Sequence, residues 1–187
     1  WQLQGARRTL EAVAHLPATV VLPMHIGAEA LAIRGYGSVS AYSGTSLQWD
    51  GVPLNDLFAN SGFINLPDIN LDTLDKIELI RGPGSALFGS DAFHGALSLK
   101  AFDSESDLSQ ISAHYSSNEF YSAGGRWSAP AFQGSRVHLS AASSGQGDQA
   151  SRFRYNDPWN QQPVSNQRAN DYNADTITLK ISSDMDQ

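Results

Sequence analysis

The sequence predicts an α+β domain, a small mixed sheet with short helices, followed by the start of a transmembrane antiparallel β-barrel. Three observations carry this. Helical and short-strand signals mix up to about Ala101, a charged serine-rich joint follows at Asp103-Ser-Glu-Ser-Asp107, and strict apolar/polar alternation begins after it. The boundary is read as residues 1–102 for the first unit and 103–187 for the second.

In the first unit, Leu3, Ala6, Leu10, Val13 and Ala14 recur at helical spacing until Pro17 ends the run. Strands are expected at Thr19–Leu22, Leu31–Arg34, Leu47–Asp50, Ile77–Ile80 and Ala96–Lys100. Asp50-Gly51 between Leu47-Gln-Trp49 and Val52-Pro-Leu54 is a hairpin signal. Asp72 to Lys76 reads as one helical turn behind an acidic cap.

In the second unit one face collects Ile111, Ala113, Tyr115, Tyr121, Ala123, Trp127, Val137, Leu139, Ala141, Ile177, Leu179 and Ile181. The other collects serines and threonines with His114, Arg126, Arg136, His138 and Lys180. Each segment has about nine residues, enough for a tilted strand to cross a bilayer. Periodicity by itself fits equally a soluble antiparallel sheet with one wet face. Three features favour the barrel: aromatics near strand ends, short connections (117–119, 129–134) alternating with a long one (145–173), and four strands too few to close their own edges.

Composition narrows the function classes. The 187 residues carry a net charge of −7 and only 17% charged residues, with no basic stripe to neutralise phosphates, so a nucleic-acid partner is not expected. Cysteine is absent, which removes disulfides and thiolate chemistry. No run of 18 apolar residues marks a transmembrane helix. Arg7-Arg8 and Ala28-Glu29-Ala30 imitate a signal peptide, but Glu11, His15, Pro17 and Pro23 interrupt its apolar stretch.

Catalytic and metal motifs fail on inspection. Gly84 to Gly89 has P-loop spacing, yet Ser90-Asp91 stands where Lys and Ser/Thr are required. Asp68-Ile-Asn-Leu-Asp72 opens like a calcium loop, but Thr73 replaces its glycine and Leu79 its glutamate. No zinc spacing joins the five histidines, although His114 and His138 are a conceivable pair across strands, against the blander reading of two imidazoles in a wet lumen. No enzyme activity and no cofactor are expected. Phe153, Tyr155, Trp159 and Tyr172 in the long connection suit a ligand grip, an interfacial belt or loop packing equally.

Three motifs, Ile33-Arg-Gly-Tyr-Gly37, Asp50-Gly-Val-Pro-Leu54 and the run from Leu66 through Ile77-Glu-Leu-Ile-Arg-Gly-Pro-Gly84 to Ala92, agree in order and spacing with one family. Over roughly residues 9–100 the chain resembles the plug domain of TonB-dependent outer-membrane receptors. The resemblance implies a plug obstructing a barrel of about 22 strands in the outer membrane of a Gram-negative bacterium. It also implies import of a scarce small-molecule nutrient, a ferric siderophore or cobalamin, driven through TonB, with outer-membrane lipid around the barrel. The segment that contacts TonB precedes the plug in the family and has no counterpart here before Trp1. Pro17-Ala-Thr and His94-Gly-Ala-Leu-Ser-Leu99 depart from the family pattern.

The same resemblance assigns Arg34 and Arg81 to a lock between plug and barrel wall, with Glu78 completing the charged cluster. Arginine suits that task because its planar fork takes two carboxylate oxygens and keeps its charge. Ligand contact falls by position to two apical loops, Ser38–Gly44 and Asn55–Gly62, offering Tyr42, Asn55, Phe58 and Asn60. The rival readings are a soluble β-rich surface adhesion domain and a glycine-loop enzyme; dependence on detergent and nucleotide binding separate them.

Overall fold

Pro17 sets the first boundary: proline cannot donate to a helical ladder, and α1 spans Thr9–Ala14. The computed structural model describes residues 6, 9–23, 29–34, 44–55, 69–89, 92–117, 119–132, 134–147, 151–156, 163–168 and 172–183. Thr19 Oγ1 donates to the carbonyls of Leu16 and Val13 at 2.7 and 2.8 Å, satisfying helix-end acceptors that have no partner within the helix. Strands β1 (Thr19–Pro23) and β2 (Glu29–Ile33) then form an antiparallel hairpin. Its base is closed by the Arg34 N–H donating to Ala18 O at 2.8 Å.

The main sheet of this domain follows. β3 (Thr45–Trp49) and β4 (Val52–Pro53) turn about Asp50-Gly51, whose φ values of 47° and 86° are the left-handed pair that an Asp-Gly hairpin demands. β5 covers Leu74–Arg81, α2 covers Ser85–Phe88 and β6 covers Gly95–Ala101. The order is β4-β3-β6-β5, with β3 parallel and β5 antiparallel to β6. Leu10 and Val13 of α1 pack with Leu31, Ile33, Leu47, Leu74, Leu97 and Leu99 in one core.

The turn expected at Asp72–Lys76 is instead a 3₁₀ turn at Leu71–Thr73, and β5 starts earlier than its apolar run suggests. Burial explains the difference. Leu74 is fully buried and pairs with Ala101, and a bulge between Leu74 and Lys76 absorbs the extra residue.

Beyond the joint, β7 (Leu108–Tyr115), β8 (Phe120–Pro130) and β9 (Ser135–Gln146) run as a meander. The long connection after β9 contains a hairpin, β10 (Ser151–Asn156) with β11 (Pro163–Arg168), before β12 (Tyr172–Ser183) returns to pair with β9. At 12 residues, β9 and β12 are about 40 Å long, enough to cross a bilayer at a steep tilt.

The two faces of this four-stranded sheet are inverted relative to a water-soluble one. Ile111 is 91% and Ile177 78% exposed, and Leu139, Leu179, Ile181, Tyr115, Tyr121 and Trp127 are exposed beside them. Ser128 and His138 are each 1% exposed, and Ser122, Ser140 and Ser144 are buried with them. An aliphatic face turned outward is costly in water and favourable against lipid. A self-contained soluble sheet would bury Ile111 and Ile177.

Candidate functional site

The N-terminal domain meets the inner, polar face of the sheet along a seam built mainly by one corner, Ile69 to Leu74. Asn70 is 3% exposed. Its Nδ2 donates to Ala174 O at 2.8 Å, Ala142 O at 2.9 Å and Thr176 Oγ1 at 3.2 Å, crossing from β9 to β12. Ser122 Oγ on β8 donates to Asp72 Oδ2 at 2.8 Å. Arg126, also on β8, directs its guanidinium at the end of the 3₁₀ turn. It donates to the carbonyls of Leu74 at 2.8 Å, Leu71 at 3.4 Å and, through Nε, Asp72. Its carbon Cζ lies 5.3 Å from the Phe102 ring centroid, within cation–π range.

A second cluster joins the wall to the joint. Lys180 Nζ on β12 lies 2.8 Å from Asp103 Oδ2 and 3.9 Å from Asp50 Oδ1. His138 Nε2 lies 2.7 Å from Ser182 Oγ and 3.1 Å from Asp103 Oδ1, and its ring meets Phe102 edge-on at 6.1 Å. Arg136 reaches Asp107 Oδ1 at 2.7 Å and Ser104 O at 3.1 Å. Burial opposes ionisation of Asp103, but the hydrogen bond and charge of Lys180, with His138 and a backbone N–H, together hold its carboxyl below the usual value.

The residues assigned from the sequence fall in different places. Arg34 and Arg81 are exposed, and among the described residues neither forms an ion pair. They sit near each other at the far end of β5. Arg81 Nη1 donates to Pro17 O at 3.4 Å, and Arg34 Nη1 lies against Gly82, 3.3 Å from where a Cβ there would stand. Glu78 is not brought to Arg81. Three residues apart on a strand puts the two on opposite faces, and Glu78 pairs with Lys76 on its own face at 2.5 Å. That hydrogen bond and charge hold the Glu78 carboxyl low and raise Lys76.

Asn55 is committed to backbone. Its Oδ1 accepts from Leu47 N at 2.8 Å and its Nδ2 donates to Thr45 O at 3.2 Å, so it continues the β3 edge into the following loop. Tyr42, Phe58 and Asn60 lie outside the described residues. His114 on β7 and His138 on β9 are separated by β8, and no metal-holding cluster occurs among the described residues.

A family model, the TonB-dependent receptor plug domain, matches residues 2–96, more than half of the 187. The chain belongs to this receptor family. Members reside in the outer membrane of Gram-negative bacteria. The chain is 34% identical over 62 residues to the vitamin B12 transporter BtuB of Vibrio vulnificus, covering 33% of this chain and 10% of that protein. It is 37% identical over 68 residues to BtuB of Photobacterium profundum, covering 36% and 11%.

Among solved structures, the ferric yersiniabactin uptake receptor FyuA from Yersinia pestis superposes with a TM-score of 0.64 at 19% identity, over 95% of this chain and 26% of that one. The FrpB iron transporter from Neisseria meningitidis gives 0.65 at 18% identity, over 94% and 26%. Both include the strands beyond the plug, so the shared fold is plug plus barrel wall. The chain spans about a tenth of the curated relatives and about a quarter of these solved receptors.

Along the described strands the plug–barrel seam is built from different residues than the two arginines assigned from the sequence. Cations on the wall (Arg126, Lys180, Arg136) face carbonyls and acids of the plug and joint. The available signal was a scatter of cations on the polar face of otherwise serine-rich strands, at Arg126, Arg136 and Lys180.

Proposed function

We propose that this chain is the plug and first wall strands of an outer-membrane receptor that captures a scarce nutrient, a ferric siderophore or cobalamin, and imports it with energy relayed by TonB. The observation that carries this is the seam. A folded α+β domain rests by Asn70, Asp72 and Phe102 on the polar side of a sheet whose other side is aliphatic and exposed. That is the arrangement of an obstruction inside a lipid-embedded wall, and it has no use in a soluble adhesion domain. Similarity to proteins named as vitamin B12 transporters supports the substrate class.

On this reading Arg34 and Arg81, paired at the end of β5 without an acid among the described residues, engage carboxylates elsewhere on the barrel wall. Transport is ligand capture above the plug followed by force on it, and needs no catalytic group. The test is uptake by the full-length receptor of radiolabelled cyanocobalamin and of a panel of ⁵⁵Fe-loaded siderophores, with and without TonB. TonB-dependent uptake of one of them is expected, impaired by Arg81→Ala. Binding and uptake of none would overturn the function, and normal uptake by Arg81→Ala would remove the lock.

A further inference from the structure

Three independent features of the wall converge on the corner at residues 69–74. The first is hydrogen bonding: Asn70 alone spans β9 and β12 through Ala142 O, Ala174 O and Thr176 Oγ1. The second is the fork of Arg126, which collects carbonyls at Leu71, Asp72 and Leu74 and lies over Phe102, tying the start of β5 and the end of β6 with one side chain. The third is space. A Cβ at Gly124 would stand 3.0 Å from Ala142 Cβ, 3.1 Å from Ala141 O and 3.3 Å from Asp72 Cβ, so a side chain there would crowd the notch into which Asp72 fits.

We infer that this corner is the fixed seat of the plug, and that Arg126 is the positioning residue holding it there. The inference holds whichever nutrient is carried. The arginine pair stands at the other end of β5, eight residues long, roughly 23 Å away. The two ends therefore have different jobs. The seat sets the depth and rotation of the plug against the wall, while among the described residues the arginine end makes no hydrogen bond or ion pair to β7, β8, β9 or β12. The fork geometry matters, because the three carbonyls are reached from two different nitrogens, Nε and Nη2, held in one plane. A lysine ammonium presents its donors from a single point.

The test uses the full-length receptor in detergent and in cells. Arg126→Gln is expected to speed amide exchange at residues 69–74 and 101–102 by on the order of tenfold or more, as loss of charged hydrogen bonds to buried carbonyls implies. It is also expected to raise cell sensitivity to vancomycin, a bulky polar antibiotic that serves as a probe of an unobstructed barrel. Arg126→Lys is expected not to restore either. Unchanged exchange in Arg126→Gln, with heat-modifiable migration showing a folded barrel, would overturn the seat, and full rescue by lysine would overturn the fork.

Should Arg126→Gln fail to fold, Asn70→Ala decides, since it removes the donor to Ala142 O, Ala174 O and Thr176 Oγ1 and adds no atom to the notch. It is expected to speed amide exchange at residues 69–74 and to leave exchange in β1 and β2 as in the parent. Unchanged exchange at residues 69–74 means that the corner does not rest on the wall.

Discussion

The ammonium of Lys180 lies 2.8 Å from Asp103 Oδ2, so that a barrel strand holds the joint through which the chain leaves the plug. Asp103 also faces His138, and Lys180 faces Asp50 at the β3–β4 turn. The carboxyl of Asp103 sits below its ordinary value near 3.8. A lowered folded-state value means that its stabilisation is present above the unfolded value and lost as pH falls through the folded one. Asp103→Asn is expected to loosen residues 102–107 by about 0.5–1 kcal/mol, a modest figure because this side chain is 40% exposed and screened. Hydrogen-exchange protection of the joint should fall off below about pH 4 in the wild type, and the Asn variant should lack that dependence.

Two glycines that look alike in sequence should respond differently to alanine. At Gly95 a Cβ would collide with the backbone carbonyl of Ile80, which the β5–β6 ladder holds in place. Gly95→Ala is expected to destabilise the plug by about 1–3 kcal/mol, as overpacking does. At Gly145 the obstacles are the Tyr121 ring, at 2.7 Å, and the Asn173 side chain, both on the exposed outer face and able to swing away. Gly145→Ala is expected to shift the denaturation midpoint little.

Leu179 stands between Ile177 and Ile181 on the outward face of β12 and is 68% exposed. Leu179→Arg is expected to cost about 2–4 kcal/mol when the full receptor folds into lipid vesicles, the penalty for a charge on the lipid side of a barrel near mid-membrane. An equilibrium folding titration reads it directly. A variant as stable as the parent would place this face away from lipid.

Asn55 separates support from contact. Asn55→Ala removes an acceptor at Leu47 N and a donor at Thr45 O, and is expected to cost about 1–2 kcal/mol. Faster exchange of the Leu47 amide is its signature. Asn55→Asp keeps the acceptor while turning a carboxylate oxygen toward Thr45 O, so the Leu47 amide should stay protected although overall stability falls.

Much of the wall was legible because strand alternation is local. Successive side chains point to opposite faces whatever surrounds them, so Ile111, Val137 and Ile177 sorted from Ser112, His138 and Thr178 before any contact was known. The Asp50-Gly51 turn was equally plain, since its left-handed pair is a property of two residues. By itself the sequence determined which residues share a face and, through three spaced motifs, which family the chain resembles. Tertiary structure decided the seam. Arg126 meets residues some fifty positions away and Asn70 meets β12 more than a hundred away, and no local rule says which cation on a polar face will find which carbonyl. The same reason moved Glu78 to Lys76, put β8 between the two histidines and turned Asn55 inward. Each partner was chosen by packing among distant segments, and only the folded chain holds those segments together.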